Sequence, residues 1–299
     1  MPTAQSNGIE LCYETFGDPE DPTLLLIMGL GAQMIAWPAP MCEGLVDRGF
    51  HVVRFDNRDV GLSTWFDDQP VDMAELLPKM LAGDPGPVPY VLSDMVADAA
   101  GLLDALGIDR AHVVGASMGG MIAQGLAIEH PDRLLSLTSI MSTTGDQDVG
   151  QPKPEILGVL MQPAATDRDA AIEQGIATYT AIGSPDHMDP EMVRERVVSS
   201  YDRAYHPAGT TRQLVAVGVS PSRTEALGSV TVPTLVVHGA IDPLIDVSGG
   251  RRTAEAVPGA ELLVIDEMGH DIPPPFWPQI IEAVTQTAAR AAAATEGGA

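Results

Sequence analysis

Apolar residues follow two rhythms along this chain. Five short apolar segments are rich in Val, Ile and Leu: "TLLLIMG" (23–29), "HVVRFDN" (51–57), "AHVVGAS" (111–117), "TLVVHGAID" (234–242) and "ELLVIDEMGH" (261–270). A strand that is apolar on both faces suits the middle of a parallel sheet covered on both sides. Helix-period stretches lie between most of these segments. The clearest is "SDMVADAAGLLDALG" (93–107), with Ser93 as predicted N-cap and Gly107 as the stop. Alternating strands and helices predict an α/β fold with a mostly parallel central sheet flanked by helices. "IELCYETFG" (9–17) alternates polar with apolar instead and predicts an antiparallel edge strand.

The alternation stops between about 145 and 228. Three helix-like stretches follow one another there, "DRDAAIEQGIATYTAIG", "DPEMVRERVVSSYDRAY" and "GTTRQLVAVGV", the second with Asp189 at the cap and Pro190 at the first helical position. An all-helical insertion predicts a lid (145–228) over a core made of 1–144 and 229–299, at the sheet edge where such folds bind ligands. Completion of the core by the same segment is the plainer alternative. Met161, Ile176, Tyr179, Met188 and Met192 predict an apolar, adaptable substrate pocket under that lid. Methionines at helical spacing also serve as ordinary core.

One strand ends in unusual company. In "HVVGASMGGM" (112–121), Gly115 and Gly119 flank Ser117 at two residues on either side, and a helix-like pattern follows at once. Gly-x-Ser-x-Gly between strand and helix permits a sharp, strained turn that pushes the serine outward, next to the helix's N-terminal amides and positive dipole end. A serine hydroxyl is a weak nucleophile and needs a base, a group to orient the base, and donors for the oxyanion that forms.

Seven histidines compete for the base. His51 and His112 begin strands, at the wrong edge, and His130 follows the nucleophile helix. His187 and His206 belong to the insertion and are expected on its surface, whereas His238 lies inside a strand and reads as core. His270, in "EMGHDIP" after the last strand, leaves the same edge as Ser117. The orienting acid should emerge there too, between serine and histidine in chain order. Asp242 in "VVHGAIDPL" fits; Asp146 is the main rival, ahead of Asp246 and Asp266. The predicted oxyanion donors are main-chain N–H groups, those of Met118 and of Leu30 in "MGLGAQ". "FDNRDVGLS" (55–63) suggests a salt-bridged turn through Asp56, Arg58 and Asp59 more than a ligand contact.

Charge narrows the partners. Against 41 acidic residues stand 16 basic ones, for a net charge of -25 over 299 residues, so a phosphate backbone or an anionic membrane would be repelled. Nucleic acid and membrane are therefore not expected partners; charge says little about substrate, and it is the apolar residues of the insertion that make a small apolar ester the expected one. Oligomeric state is not legible. Cys12 and Cys42 have neither metal nor redox spacing and read as core. No metal cluster, phosphate loop or dinucleotide fingerprint occurs in the sequence, which implies no cofactor. The N-terminal segment has no basic stretch leading into an apolar one, and the expected location is the cytoplasm.

With "GASMGG", "HGAIDPL", "EMGHDIP", "LLIMGLG" and "DNRDVGLS" in this order, the chain resembles the α/β-hydrolase superfamily over essentially its whole length. "DNRDVGLS", in place of the commoner Asp-x-Arg-Gly-x-Gly-x-Ser, and Met-Gly after the first core strand are similar to actinobacterial esterases of the aclacinomycin methylesterase type. The resemblance implies the α/β-hydrolase fold, Ser117 as nucleophile, Asp242 as acid, His270 as base, and the Leu30 and Met118 amides as oxyanion hole. Met28 departs from the common His-Gly without touching the backbone donor, and 66–90 looks longer than a simple connection. Ester hydrolysis through an acyl-enzyme is the leading expectation. Cleavage of a carbon-carbon bond in a diketone uses the same three residues, and a non-catalytic binding protein on this fold is the reading from a different class.

Overall fold

The computed structural model describes residues 1–160 and 162–296. In chain order its elements are β1 (Thr3–Ser6), β2 (Ile9–Phe16), β3 (Thr23–Ile27), α1 (Ala39–Val46), β4 (His51–Phe55), α2 (Met73–Leu81), α3 (Leu92–Ala105), β5 (Ala111–Ala116), α4 (Met118–Glu129) and β6 (Leu134–Ile140). Then follow α5 (Pro154–Leu160), α6 (Arg168–Ile182), α7 (Pro190–Arg203), α8 (Pro207–Val219), α9 (Thr224–Leu227), β7 (Thr234–Gly239), α10 (Val247–Ala256), β8 (Glu261–Ile265) and α11 (Trp277–Glu296).

Among the described residues, eight strands form one sheet in the order β1-β2-β4-β3-β5-β6-β7-β8. From β4 to β8 every pairing is parallel. β2 is antiparallel to both its neighbours, so it lies inside the sheet. The expected edge strand is thus corrected: β1, a short polar stretch with no apolar signature, covers it.

The apolar runs explain the layering. In β3, Leu25 and Ile27 point into a core shared with α3 and α4, while Leu24 and Leu26 point into a second core shared with α1 and α11. Successive side chains in a strand alternate between faces, so an unbroken apolar run serves two layers at once. Cys12 and Cys42 are buried free thiols. Helix α3 begins at Leu92, not after a Ser93 cap. Asp94 Oδ2 accepts the Val91 N–H at 2.8 Å, and that carboxylate does the capping instead. Gly107, at φ +70°, ends this segment in the left-handed region as expected. Helices α5 to α8 occupy the insertion between β6 and β7, whereas α9 packs back on α4 and α10. No helix among the described residues is long and apolar enough to cross a membrane.

His112 sits in β5 with its Nδ1 2.8 Å from Ser136 Oγ and its ring edge-on to Phe50. Burial, aided by the charge of Arg110, pulls its pKa down to about 4. An unfolded histidine titrates near 6.5, so on acidification the unfolded chain takes up this proton first. The stability tied to neutral His112 is complete above about pH 6.5 and is lost as the pH falls toward 4. Between pH 7 and 5 the loss should be about 2 kcal/mol. Denaturant unfolding at the two pH values checks it: His112→Asn should shrink the difference by that amount, and equal differences in both proteins would count against it.

Candidate active site

The turn from β5 into α4 is built by what glycine lacks. Ser117 has φ 56° and ψ −123°, outside the regions that L-residues favour. Such strain costs on the order of 1–3 kcal/mol and persists only where the surroundings enforce it. They do so here by close approach. A Cβ on Gly115 would lie 2.0 Å from the Gly119 carbonyl oxygen, and one on Gly119 would lie 2.1 Å from that of Ile27. The turn is pinned on both sides of the serine as well. Its N–H donates to Ile140 O at 2.9 Å, and its carbonyl accepts from Ser142 Oγ at 2.8 Å.

Ser117 Oγ lies 3.0 Å from His270 Nε2, and His270 Nδ1 lies 2.8 Å from Asp242 Oδ2. A carboxylate only accepts, so Nδ1 carries the ring proton and Nε2 is left as acceptor for the serine hydroxyl. The loop holding His270 is tied to the helical insertion. The His270 N–H donates to Ile182 O at 2.7 Å, and the Gly269 N–H donates to Ser184 Oγ at 2.9 Å.

Asp242 is buried at the end of β7, and its Oδ1 accepts from the Leu244 and Ile245 amides at 2.9 Å each. Burial alone would raise its pKa. The charge of His270, hydrogen bonding from His238 and His270, and the Ile245 amide outweigh burial and hold the carboxyl well below the usual range. His238 is fully enclosed; its Nε2 donates to Ile245 O at 2.8 Å and stands 3.5 Å from Asp242 Oδ2. The rival Asp146 is engaged elsewhere: its carboxylate accepts from Ser222, Thr224 and Arg252, which keeps its pKa low. Asp246 caps α10 through the Ser248 amide.

Met118 is the first residue of α4, where a helix leaves its amides without intrahelical acceptors. Leu30 lies in the loop after β3, and that loop abuts the serine. A Cβ on Gly29 would fall 2.9 Å from Ser117 Cβ.

The predicted pocket residues are less convergent. Met161 lies outside the described residues. Ile176, Tyr179 and Met188 are half-buried, with Tyr179 under the Arg196 guanidinium and Met188 against Gly183. Met192 is 41% exposed at the start of α7, so it is not enclosed as expected.

Two histidines expected on the surface are half-buried instead. His187 is half-buried and pairs with Glu267 at 2.7 Å, while His206 stacks on Trp65 at 4.0 Å and meets Arg212 at 2.9 Å. The "FDNRDVGLS" turn is structural, but its ion pairs are long-range. Asp56 pairs with Arg203 at 2.7 Å, Arg58 with Asp98 at 2.6 Å, and Asp59 with Arg212 at 2.7 Å. Arg203 and Arg212 come from α7 and α8, so two of these three pairs clamp the insertion to the core. The sequence signal was the pair Arg212-Gln213 inside an apolar helical stretch, two polar groups that an apolar face buries only when they have partners.

A strained serine at the strand-to-helix turn of a mostly parallel sheet, facing a histidine and a buried aspartate from later loops, defines a class. The chain belongs to the α/β-hydrolase fold family, which it matches over residues 22–274. It is 30% identical over 302 residues to rhodomycin D methylesterase DauP of Streptomyces sp. (strain C5), with 91% of this chain and 93% of that one covered. Rhodomycin D methylesterase DnrP of Streptomyces peucetius is similar to the same extent. Among solved structures, the enol-lactonase from Burkholderia xenovorans LB400 superposes with a TM-score of 0.70 at 25% identity, covering 98% of this chain and 100% of that one.

Proposed function

We propose that this protein is a serine hydrolase that cleaves carboxylic esters of small, uncharged molecules. The observation that carries the reading is the relay from Ser117 Oγ through His270 to Asp242, at 3.0 and 2.8 Å, on a strained turn. Ser117 Oγ attacks the ester carbonyl carbon as His270 Nε2 takes its proton. The carbonyl oxygen becomes an oxyanion between the Met118 and Leu30 amides, which are held in place before the charge develops. Collapse breaks the carbon-oxygen bond, and His270 returns the proton to the leaving alcohol. A water activated by His270 then frees the acid from Ser117. Asp242 keeps the imidazole in the required tautomer and stabilises the imidazolium.

Two relatives matched along nearly their whole length support esters: one is named a methylesterase and the other an enol-lactonase. Residues 145–228 act in this reading as a cap, with Ile176, Tyr179 and Met188 on its apolar wall and Met161 assigned there from sequence alone. A panel of neutral aryl and methyl esters, a lactone, a thioester and a diketone tests it. The expected result is ester turnover with a burst of alcohol and a preference for uncharged apolar acids. Diketone cleavage without ester turnover moves the chain to carbon-carbon bond hydrolysis, and ligand binding without turnover makes it a binding protein.

A further inference from the structure

Helix α8 lies across two loops that leave the C-terminal edge of the sheet. Thr210 and Gln213, three residues apart and so on one face, meet the loop after β3. Gly209 and Arg212 meet the loop after β4, with a Cβ on Gly209 falling 2.0 Å from Asp59 O. Gln213 joins the two loops. Its side chain is fully buried; Oε1 accepts the Gly31 N–H at 2.8 Å and Nε2 donates to Arg58 O at 2.7 Å. An amide N–H can only donate and a carbonyl can only accept, so one orientation of the side-chain amide satisfies both.

Gly31 follows Leu30 and has φ +65°, the left-handed region. On one side of Leu30, Gly29 is wedged against Ser117; on the other, the Gly31 amide is tied to Gln213. The peptide plane before Leu30 is held by Gly29 O, which accepts the Ala32 N–H at 3.2 Å, and the plane after it by Gln213, which accepts the Gly31 N–H at 2.8 Å. We infer that Gln213 is a positioning residue: it holds the loop carrying the Leu30 amide in the orientation that receives the oxyanion. The inference rests on the proposed role of Leu30. It also makes α8 part of the site's framework, because a displacement of this helix moves an oxyanion donor.

The test compares the parent with Gln213→Met, which keeps side-chain length and removes both hydrogen bonds, and Gln213→Glu, which keeps an acceptor for Gly31. Two readouts are needed, ester kinetics and the second-order rate at which a fluorophosphonate modifies Ser117. Loss of an oxyanion donor costs about 10²–10³ in kcat, so a displaced donor should cost on the order of 10- to 100-fold. In Gln213→Met, kcat and the phosphonylation rate should fall together by that factor, with KM within about threefold. Gln213→Glu should stay within about threefold of the parent in kcat while its melting temperature falls. A tie that only braces the fold would lower the melting temperature of both variants and leave both rates alone. Phosphonylation of folded Gln213→Met within about twofold of the parent overturns the inference. So does a tenfold kcat loss in Gln213→Glu, which also serves if Gln213→Met does not fold. If the parent is phosphonylated but cleaves no ester, the ester reading fails and the rate comparison still judges Gln213; a parent that is not phosphonylated overturns both.

Discussion

Ser117→Ala should lower kcat for a neutral ester by about 10⁶-fold and abolish fluorophosphonate labelling, while the fold stays intact. The size follows from the proposed relay. Without Oγ there is no atom for His270 to deprotonate at 3.0 Å, and His270 and Asp242 are left with nothing to activate. Groups that act as one unit are not additive, so His270→Ala should cost about as much, and the double variant hardly more. A residual rate of about 10³–10⁴ over water is expected from binding and the oxyanion donors. Folding should be spared because the turn is enforced by Gly115, Gly119 and the bonds to Ile140 and Ser142, none of which uses the serine side chain. Turnover by Ser117→Ala at the parent's rate, measured after excluding contaminating esterase with an untransformed-host control, would remove Ser117 from the chemistry.

What could be read from the chain alone divides by the range of the interaction that decides it. β3, β4, β5, β7 and β8 were legible because an apolar run is a local signal, and Ser117 because its turn needs small residues within two positions of it. β1 was not: "TAQS" carries no pattern and becomes a strand only because β2 offers it a free edge. The N-cap of α3 lies two residues before the predicted Ser93 because Ser93 and Asp94 are both competent caps, and only the course of the chain at Val91 decides between them. His206 is drawn in from the surface for a related reason. Its partners Trp65 and Asp67 are more than a hundred residues away in the chain, in a loop with no strong pattern of its own.

The attachment of the insertion was the least legible feature, and it bears directly on the site. Several of the ties that hold it are polar and join residues far apart in sequence. Arg203 and Arg212 reach Asp56 and Asp59 across 147 and 153 residues, Gln33 donates to the Ser200 and Ala204 carbonyls, and Ile182 receives the His270 amide. A buried carboxylate whose partner is removed is left uncompensated, which makes such pairs strongly coupled to the placement of the helices that supply the cations. The helices above the sheet are therefore braced to the same three loops that carry Leu30, Asp56 to Asp59, and His270. Geometry at the serine depends on packing at some distance from it.

The acid offers the sharpest contrast between two residues of one type. Asp242→Asn should lower kcat by about 10⁴-fold, while Asp146→Asn should leave kcat within about threefold. An asparagine at 242 can present an N–H to His270 Nδ1, which would favour the tautomer with its proton on Nε2, pointing at the serine that must lose one. It also removes the charge that stabilises the imidazolium. Asp146, by contrast, spends its oxygens on Ser222, Thr224 and Arg252, so its amide should loosen that loop and lower the melting temperature more than the rate. The Asp242 carboxyl is held well below the usual range, so it remains ionised throughout the mildly acid region and keeps its charge beside the imidazole there. If Asp146→Asn is the crippled variant and Asp242→Asn keeps the parent's kcat, the acid comes from the loop after β6 and the relay drawn through Asp242 is wrong.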